Sequence, residues 1–427
     1  MSALAATNIV GDVDDTALAA EMFDALRAIS FDGVGISRLA YGPEESLALD
    51  LLEAKAQELG LHTERDAGAN LVVTLRGADP SLPFMACGSH VDSVPQGGNF
   101  DGAAGVIAGL AILAGFKRDG FVPNRTLKLL CLRGEESARF GKAYMGSSAL
   151  LGKLTSTDLA VKDATGKTLG ECMADVGVDV ERVARGEPLL DPASVAGWME
   201  LHIEQGPVLV ARDLPIGIVT GIRGNVRHRT VKCIGEAGHS GAVPRWLRHD
   251  AVMASAELLT HLDHHWRTLL ERGRDVVMTA GLFGTLPEEH AIARIPGEVH
   301  FSFEVRSQNP DTLEGFYDIF LSEARLVERE RGVRFELDRR VDSAPAIMDA
   351  AWVDRLKRAA ERLRLPTEDI PSGAGHDAAV FANTGIPSAM VFVRNEHGSH
   401  NPHEAMRIDD MVAGIAVMRE ALLEALI

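Results

Sequence analysis

The sequence predicts an α/β fold interrupted by a smaller α+β module. Short apolar strands alternate with helices over about the first 220 residues, a pattern typical of a parallel sheet with helical crossovers. The middle of the chain combines long helices with a strand of strict polar–apolar alternation, which indicates an antiparallel sheet. At 427 residues the chain also exceeds the usual size of one domain, so two domains are expected.

The first part of the chain contains the elements that such a sheet requires. Leucines at helical spacing predict a helix over residues 44–59, and Gly60 follows as a C-capping residue. The run 103–116 is apolar nearly all round, which predicts a buried helix. Short apolar runs predict buried strands over residues 70–75, 83–88 and 127–132.

The inserted module is predicted over residues 222–335. Along residues 298–306, valine and phenylalanine alternate with polar side chains, as in a half-exposed strand. The glycine-rich stretch 235–241 is predicted to be a loop. Further strands and helices are predicted over residues 227–234, 250–270, 310–331 and 333–337. The flanking parts, 1–221 and 336–427, then form one domain that the insertion splits.

Composition and charge exclude several classes of function. The net charge of −18, from 43 basic and 61 acidic residues, argues against nucleic acid or an anionic membrane as a partner. No apolar run approaches the roughly 20 residues of a membrane-spanning helix, and residues 1–16 lack the pattern of a signal peptide. Cys87 and Cys131 lie in apolar strands and are interpreted as reduced thiols. A cytoplasmic location is therefore expected.

Five polar clusters beside apolar runs predict one metal site. A lone His-x-Asp or a glutamate pair is usually a solvated surface feature, but here every cluster adjoins an apolar run and several contain glycines. In α/β sheets, sites gather beyond the carboxyl ends of strands, so clusters distant in sequence can meet there. The clusters occupy residues 88–92, 99–101, 134–136, 201–205 and 398–400.

The side chains of these clusters have the chemistry of metal ligation. His90, His202 and His400 offer imidazole nitrogens. Asp92 stands two residues after His90 on an extended segment. One of these two side chains can therefore bind a cation while the other orients the side chain that binds it. Asp101 follows a glycine-rich turn and could bridge two cations about 3.5–4 Å apart. Imidazole and carboxylate ligands suit Zn²⁺ first, with Mn²⁺, Co²⁺ and Ni²⁺ as alternatives.

Glu135 and Glu136 are adjacent, which separates their roles. If Glu136 points at a cation, Glu135 points elsewhere and is free to take a proton from water. Burial and a neighbouring carboxylate would raise the pKa of such a base towards neutrality. The clusters therefore predict metal-assisted hydrolysis.

These segments resemble the hydantoinase/carbamoylase family, which belongs to the aminoacylase/dipeptidase superfamily of metallohydrolases. The resemblance extends from about residue 15 to the C-terminus. Members act on N-carbamoyl amino acids, other ureido acids and allantoate. The motifs that carry the resemblance are residues 88–102, 200–207, 238–241, 371–377 and 399–404.

The resemblance implies a fold and a site. The fold would be a catalytic domain like that of zinc aminopeptidases, with an inserted lid through which two chains form a homodimer. The site would hold two divalent metal ions per subunit, with Asp101 as the bridge and Glu135 as the general base and acid. The implied metal ligands are His90, Asp101, Glu136, His202 and His400.

The resemblance also implies the substrate contacts. Gln205 and Arg306 would bind the substrate, with Arg306 clamping a carboxylate. His239 would reach the partner subunit's cleft and donate to the carbonyl oxygen. Many members carry an asparagine where this chain has Ala293. Either His290 or Arg294 then compensates for it, or the substrate differs.

The expected activity is hydrolysis of the amide or ureido C–N bond of an N-carbamoyl amino acid or related ureido acid. An aminoacylase or dipeptidase acting on N-acyl amino acids is the alternative, against which His202 and Gln205 argue. A non-catalytic binding protein on the same fold is a third interpretation, and the presence of Glu135 with all five ligands argues against it. The particular acid, the cellular metal and any assembly beyond a dimer stay open.

Overall fold

The computed structural model describes residues 13–427, and the chain divides into two compact units. The first unit comprises the chain up to Thr220 together with Ile347–Ile427, and the second comprises Gly221–Ala346. The second unit thus extends past the predicted boundary at residue 335, because Val341–Ser343 pairs with the strand Gly224–Ile234 of the same unit. The start of the predicted segment 1–221, and most of the stretch 1–16, lie outside the described residues.

Helices and strands alternate along the first unit as the sequence predicts, and the elements of both units are numbered together in chain order. The α-helices are α1 (Val13–Ser30), α2 (Pro43–Glu58), α3 (Ala103–Arg118), α4 (Met145–Leu150), α5 (Ser156–Leu159), α6 (Leu169–Asp175), α7 (Val180–Ala184), α8 (Val208–Arg212), α9 (Ala251–Glu271), α10 (Pro310–Arg331), α11 (Ala350–Leu363), α12 (Asp377–Ala382) and α13 (Ile408–Leu426). The strands are β1 (His62–Arg65), β2 (Leu71–Leu75), β3 (Phe84–His90), β4 (Leu127–Leu132), β5 (Val195–Ile203), β6 (Ile216–Ile222), β7 (Gly224–Ile234), β8 (Gly238–His239), β9 (Val277–Thr279), β10 (Phe283–Thr285), β11 (Arg294–Ile295), β12 (Glu298–Ser307), β13 (Arg334–Leu337), β14 (Val341–Ser343), β15 (Ala346–Ile347), β16 (Asp369–Ser372), β17 (Ser388–Val393), β18 (Asn395–Glu396) and β19 (Ala405–Met406). Short 3₁₀ turns occupy Pro192–Ser194, Arg245–Leu247 and Pro287–Glu289.

The first unit is built on a mixed sheet with a parallel centre. Its strand order is β1-β2-β4-β3-β5-β17-β6-β15, and β16 also pairs with β6. The central strands β4, β3, β5 and β17 run parallel, whereas β2 and β6 join them in antiparallel orientation. This arrangement confirms the predicted α/β class and places four carboxyl ends at one edge of the sheet.

Burial explains why the central elements are so apolar. Every residue of β17 is buried, and β3 is buried apart from its first residue. The predicted buried helix is α3, which is buried nearly all round from Ala103 to Phe116 and packs on β3 and β5. All four cysteines are free and buried. Within residues 13–427, no helix combines the length and the apolar character needed to cross a membrane.

The second unit is an antiparallel sheet with two long helices. The sheet has the order β10-β12-β7-β13, with β9 on β12 and β14 on β7. Side chains of β12 alternate between half-buried and buried, as predicted, and the ring of Phe303 stacks on Phe320 of α10 at 4.0 Å. The prediction of a loop over residues 235–241 is wrong at Gly238–His239, because this pair forms β8 by antiparallel bonding to β11.

Candidate metal centre

The carboxyl ends of the parallel strands bring the predicted metal ligands together. His90 is the last residue of β3, and His202 lies one residue before the end of β5. Glu135 and Glu136 follow β4, and His400 follows β17. Because neighbouring parallel strands end at the same edge of a sheet, residues separated by some three hundred positions become neighbours.

The Asp101 carboxylate lies at the middle of this cluster. Its Oδ1 is 3.2 Å from Nε2 of His202 and 3.6 Å from Nε2 of His90. Its Oδ2 is 3.4 Å from Nε2 of His400, which in turn lies 3.1 Å from Oε1 of Glu136. The donors form two groups that share Asp101, and the ligand atoms within each group lie within 4.8 Å of one another. The two oxygens of one carboxylate therefore face two different sets of donors.

The buried histidines are oriented so that one nitrogen of each faces Asp101. Nδ1 of His90 lies 3.1 Å from the carbonyl oxygen and 3.3 Å from Oδ1 of Asp92, and Nδ1 of His202 lies 2.9 Å from the carbonyl oxygen of Ile203. An Nδ1–H that donates to oxygen leaves Nε2 as the nitrogen that could bind a cation, as in most metal-binding histidines. The residues present thus fit divalent cations of the zinc type.

Gly102 allows the imidazole of His90 to lie against the chain. The backbone of Gly102 is left-handed, with a φ of +64°, and a Cβ there would lie 2.4 Å from Cε1 of His90. Any other residue would therefore be strained and would push the ring away.

Glu135 is held beside the predicted metal ligands without belonging to either donor group. The Asp92 carboxylate accepts the backbone N–H of Glu135 at 3.0 Å and that of Glu136 at 2.9 Å. Oε2 of Glu135 lies 3.8 Å from Nε2 of His90. Burial raises the pKa of the Glu135 carboxyl well above its ordinary range. The positive charge of His90 lowers this pKa and the negative charge of Glu136 raises it, but burial has the largest effect. A buried carboxyl of this kind is suited to proton transfer.

The electrostatics of the cluster favour positive charge. Burial raises the pKa of Asp101, but hydrogen bonds from His202 and His400 outweigh it and hold that pKa well below its ordinary value. Hydrogen bonds to Asp101 and Glu136 raise the pKa of His400 to about 10. Cations that replace these protons would meet the same carboxylates.

Gln205 lies in this cluster, and its side-chain carbonyl oxygen accepts no hydrogen bond from the described residues. Its Nε2 donates to Oδ2 of Asp101 at 2.7 Å, while its Oε1 is buried and finds no hydrogen-bond partner among the described residues. Its backbone is left-handed, with a φ of +61°. A buried carbonyl oxygen without a partner is unfavourable, so this atom is suited to receive an N–H from a ligand.

A third group of donors, formed by Glu200, His202 and His376, has a structural explanation. Glu200 Oε1 accepts from the hydroxyl of Ser89 at 2.7 Å, and its Oε2 accepts from the backbone N–H of Ala378 at 2.9 Å. Both oxygens are thus engaged in tying β3 and α12 to β5.

The remaining predicted site residues belong to the second unit. His239 is exposed on β8, and Arg306 is half-buried on β12, where its Nη2 lies 3.0 Å from Oε1 of Glu304. His290 is exposed, with Nε2 2.7 Å from the hydroxyl of Thr285.

One supporting interaction was not predicted from the sequence. The guanidinium of Arg133 donates to Oε2 of Glu45 at 2.6 Å, and the backbone N–H of Gly134 donates to Oε1 of the same residue at 2.8 Å. This buried pair fixes the turn that carries Glu135. The available signal was a basic residue directly after a buried strand, where it would have to find a partner.

Comparison with known proteins identifies the family of this chain. Residues 86–424 match the model of peptidase family M20/M25/M40. The chain is 34% identical over 385 residues to an N-carbamoyl-L-amino acid amidohydrolase of Geobacillus stearothermophilus, covering 90% of this chain and 92% of the relative. It is 30% identical to the allantoate amidohydrolase of Escherichia coli (strain K12), covering 90% of this chain and 91% of the relative.

Solved structures of the same family have a similar fold. A crystal structure described as an amidase of the hydantoinase/carbamoylase family from Burkholderia multivorans superposes with a TM-score of 0.86 at 29% identity, covering 98% of this chain and 99% of that one. The chain therefore belongs to peptidase family M20/M25/M40, in the hydantoinase/carbamoylase branch that its sequence predicts.

Proposed function

We propose that the protein is a metal-dependent amidohydrolase that cleaves the C–N bond of an N-carbamoyl amino acid or a related ureido acid. The observation that carries the proposal is the position of Asp101 between two donor groups, with the Glu135 carboxyl beside them. The names of the relatives support the substrate class, since they denote hydrolases of N-carbamoyl amino acids and of allantoate.

Two divalent cations per subunit are proposed as cofactors. One would be held by His90, Asp101 and His202, and the other by Asp101, Glu136 and His400. Zn²⁺ is the preferred ion for this donor set, with Mn²⁺, Co²⁺ or Ni²⁺ as alternatives. When bound, such ions polarise a carbonyl oxygen and lower the pKa of water.

Glu135 would move the proton. As the oxygen of water attacks the ureido carbonyl carbon, Glu135 accepts the proton of that water, and it then donates the proton to the leaving nitrogen as the C–N bond breaks. The products are the free amino compound and carbamic acid, which decomposes to ammonia and carbon dioxide. Asp92 holds the Glu135 backbone during this transfer.

The second unit would supply further substrate contacts as a lid and as the surface of a homodimer. Arg306 is proposed to bind the substrate carboxylate and His239 to donate to the carbonyl oxygen in the partner subunit's cleft. Ala293, in place of an asparagine found in many members, lies beside His239, because its carbonyl oxygen accepts the N–H of Ser240 at 2.9 Å. The residue at position 293 would thus influence substrate binding close to His239. His290 is proposed as a further contact to the substrate.

A cytoplasmic location is also proposed. Its support is the buried, free state of all four cysteines.

A substrate screen tests the proposal. Metal-loaded protein is incubated with N-carbamoyl-α-amino acids, N-carbamoyl-β-alanine, allantoate and N-acyl amino acids, and ammonia and free amine are both measured. We expect release of ammonia from at least one ureido acid, with an equimolar amine from the carbamoyl amino acids. Turnover of acyl amino acids alone would contradict the proposal and support the acylase alternative.

A further inference from the structure

The buried side chain of Glu404 joins two of the segments that form the metal centre. Only 7% of Glu404 is exposed. Its Oε1 accepts the backbone N–H groups of Phe100 at 2.9 Å and Asp101 at 3.1 Å. Its Oε2 accepts the hydroxyl of Ser399, the residue before His400, at 2.5 Å. One carboxylate thus holds the backbone of Asp101 and the loop that carries His400.

Ser399 makes this link sensitive to what Asp101 binds. The hydroxyl of Ser399 contacts both Oε2 of Glu404 and Oδ2 of Asp101. A hydroxyl has one proton to donate, so it serves only one of these acceptors at a time. Oδ2 is also the oxygen that faces His400, so a cation bound there would compete with the hydroxyl. Glu404 then provides the acceptor that Ser399 needs.

The chain leaves space for Glu404 at Gly98. A Cβ at position 98 would lie 2.0 Å from Oε1 of Glu404 and 2.5 Å from its Cβ. Contacts this short do not occur, so an alanine at this position would displace the carboxylate from Phe100 and Asp101. Gly98 therefore offers a way to move Glu404 without removing its charge or any proposed ligand.

We propose that Glu404 is a positioning residue that aligns the bridging carboxylate of Asp101 with His400, so that cation binding by the group of Asp101, Glu136 and His400 depends on it. The inference rests on the proposed metal centre. Side chains that orient metal ligands in this way typically change metal affinity by about 10–100-fold when they are replaced.

Cobalt titration of the metal-free protein tests the inference. The absorption bands of Co²⁺ report the number of ions bound, their affinities and their coordination. For Glu404→Gln and Gly98→Ala we expect one of the two Co²⁺ ions to bind about 10–100-fold more weakly with altered bands, while the other binds normally. The matched control is Glu396→Gln, which makes the same charge change at an exposed site on the neighbouring β18 and should titrate like wild type.

Melting temperature of the metal-free variants separates positioning from a structural role. We expect the stabilisation by Co²⁺ to be smaller than in wild type in both Gly98→Ala and Ser399→Ala, whatever the melting temperature of each metal-free variant. Wild-type affinity in both Glu404→Gln and Gly98→Ala, or a fall in metal-free stability without a change in affinity, would overturn the inference. If Glu404→Gln does not fold, the Co²⁺ affinities of Gly98→Ala and Ser399→Ala decide whether the inference holds. A wild-type protein that binds no Co²⁺ would instead refute the metal centre itself.

Discussion

The Asp92 carboxylate accepts the backbone N–H of Glu136 through Oδ2 at 2.9 Å. Asp92 follows β3 and Glu136 follows β4, so this bond joins the ends of two neighbouring parallel strands. The other oxygen accepts the N–H of Glu135 and faces Nδ1 of His90. Asp92 thus contacts the imidazole that it is predicted to orient, and it also binds the backbone from which both glutamates project.

Replacing Asp92 by asparagine should therefore disturb the metal ligands and the base together. The amide group turns an N–H towards one of the backbone donors, which leaves that donor without an acceptor. We expect metal affinity to fall about 10–100-fold. Calorimetric titration of the metal-free protein measures this. Unchanged affinity would show that the backbone of Glu136 keeps its position without Asp92.

Replacing each of the two adjacent glutamates by glutamine should affect a different property of the protein. Glu135→Gln should keep its metal content and lose turnover by about 10²–10⁴-fold, because only proton transfer is removed. Glu136→Gln should lose metal, because Glu136 belongs to a donor group with Asp101 and His400. Metal analysis and steady-state rates of the two variants decide the assignment. Substantial turnover by Glu135→Gln would refute its role as the base.

Local patterns were sufficient to predict several of the buried strands and the candidate ligands. Apolar runs mark β3, β4 and the helix α3 because these elements are buried, and polar residues at their ends mark the edge where ligands meet. The structure places the predicted ligands and Glu135 together, whereas their roles as ligands and base stay predictions.

Long-range partners could not be predicted in the same way. Glu404 contacts Asp101 across 303 positions, and Arg133 meets Glu45 across 88, and no periodicity in the sequence links either pair. The second unit ends at Ala346, later than the predicted boundary at 335, for a similar reason. The three-residue strand β14 has too little pattern of its own, and only its pairing with β7 assigns it to the second unit.

The buried pair of Glu45 and Arg133 should contribute strongly to stability. Glu45 accepts from the guanidinium of Arg133 and from the N–H of Gly134. Glu45→Ala leaves the charge of Arg133 buried without its partner, so we expect the free energy of unfolding to fall by about 3–5 kcal/mol. Denaturant titration measures the change. Glu44→Ala, in the same turn of α2, is the control and should change it much less.

Acid stability should reveal the contribution of Asp163. A hydrogen bond from the hydroxyl of Thr165, with others from Arg139 and the backbone of Lys167, lowers the pKa of Asp163 to about 2 from 3.8. A lowered pKa favours the charged form in the folded state. The stabilisation is therefore fully present above pH 3.8 and is lost as the pH falls towards 2.

Asp163→Asn should thus lower the melting temperature by a constant amount between about pH 5 and 8, and the difference should narrow below pH 4. Scanning fluorimetry of both metal-free proteins across this range measures it. A difference that stays constant down to the lowest pH at which both proteins fold would contradict the assignment.

The proposed role of His239 can be tested by mixing two inactive chains. Glu135→Gln lacks the base, and His239→Ala lacks the donor that is proposed to enter the partner's cleft. In a mixed dimer, the subunit with intact Glu135 receives an intact His239 from its partner, so one active site is complete. We expect activity to appear when the two variants are unfolded and refolded together, and not when each is refolded alone. Differently tagged chains purified on both tags verify that mixed dimers are present. If verified mixed dimers are inactive, His239 does not act across the subunit interface.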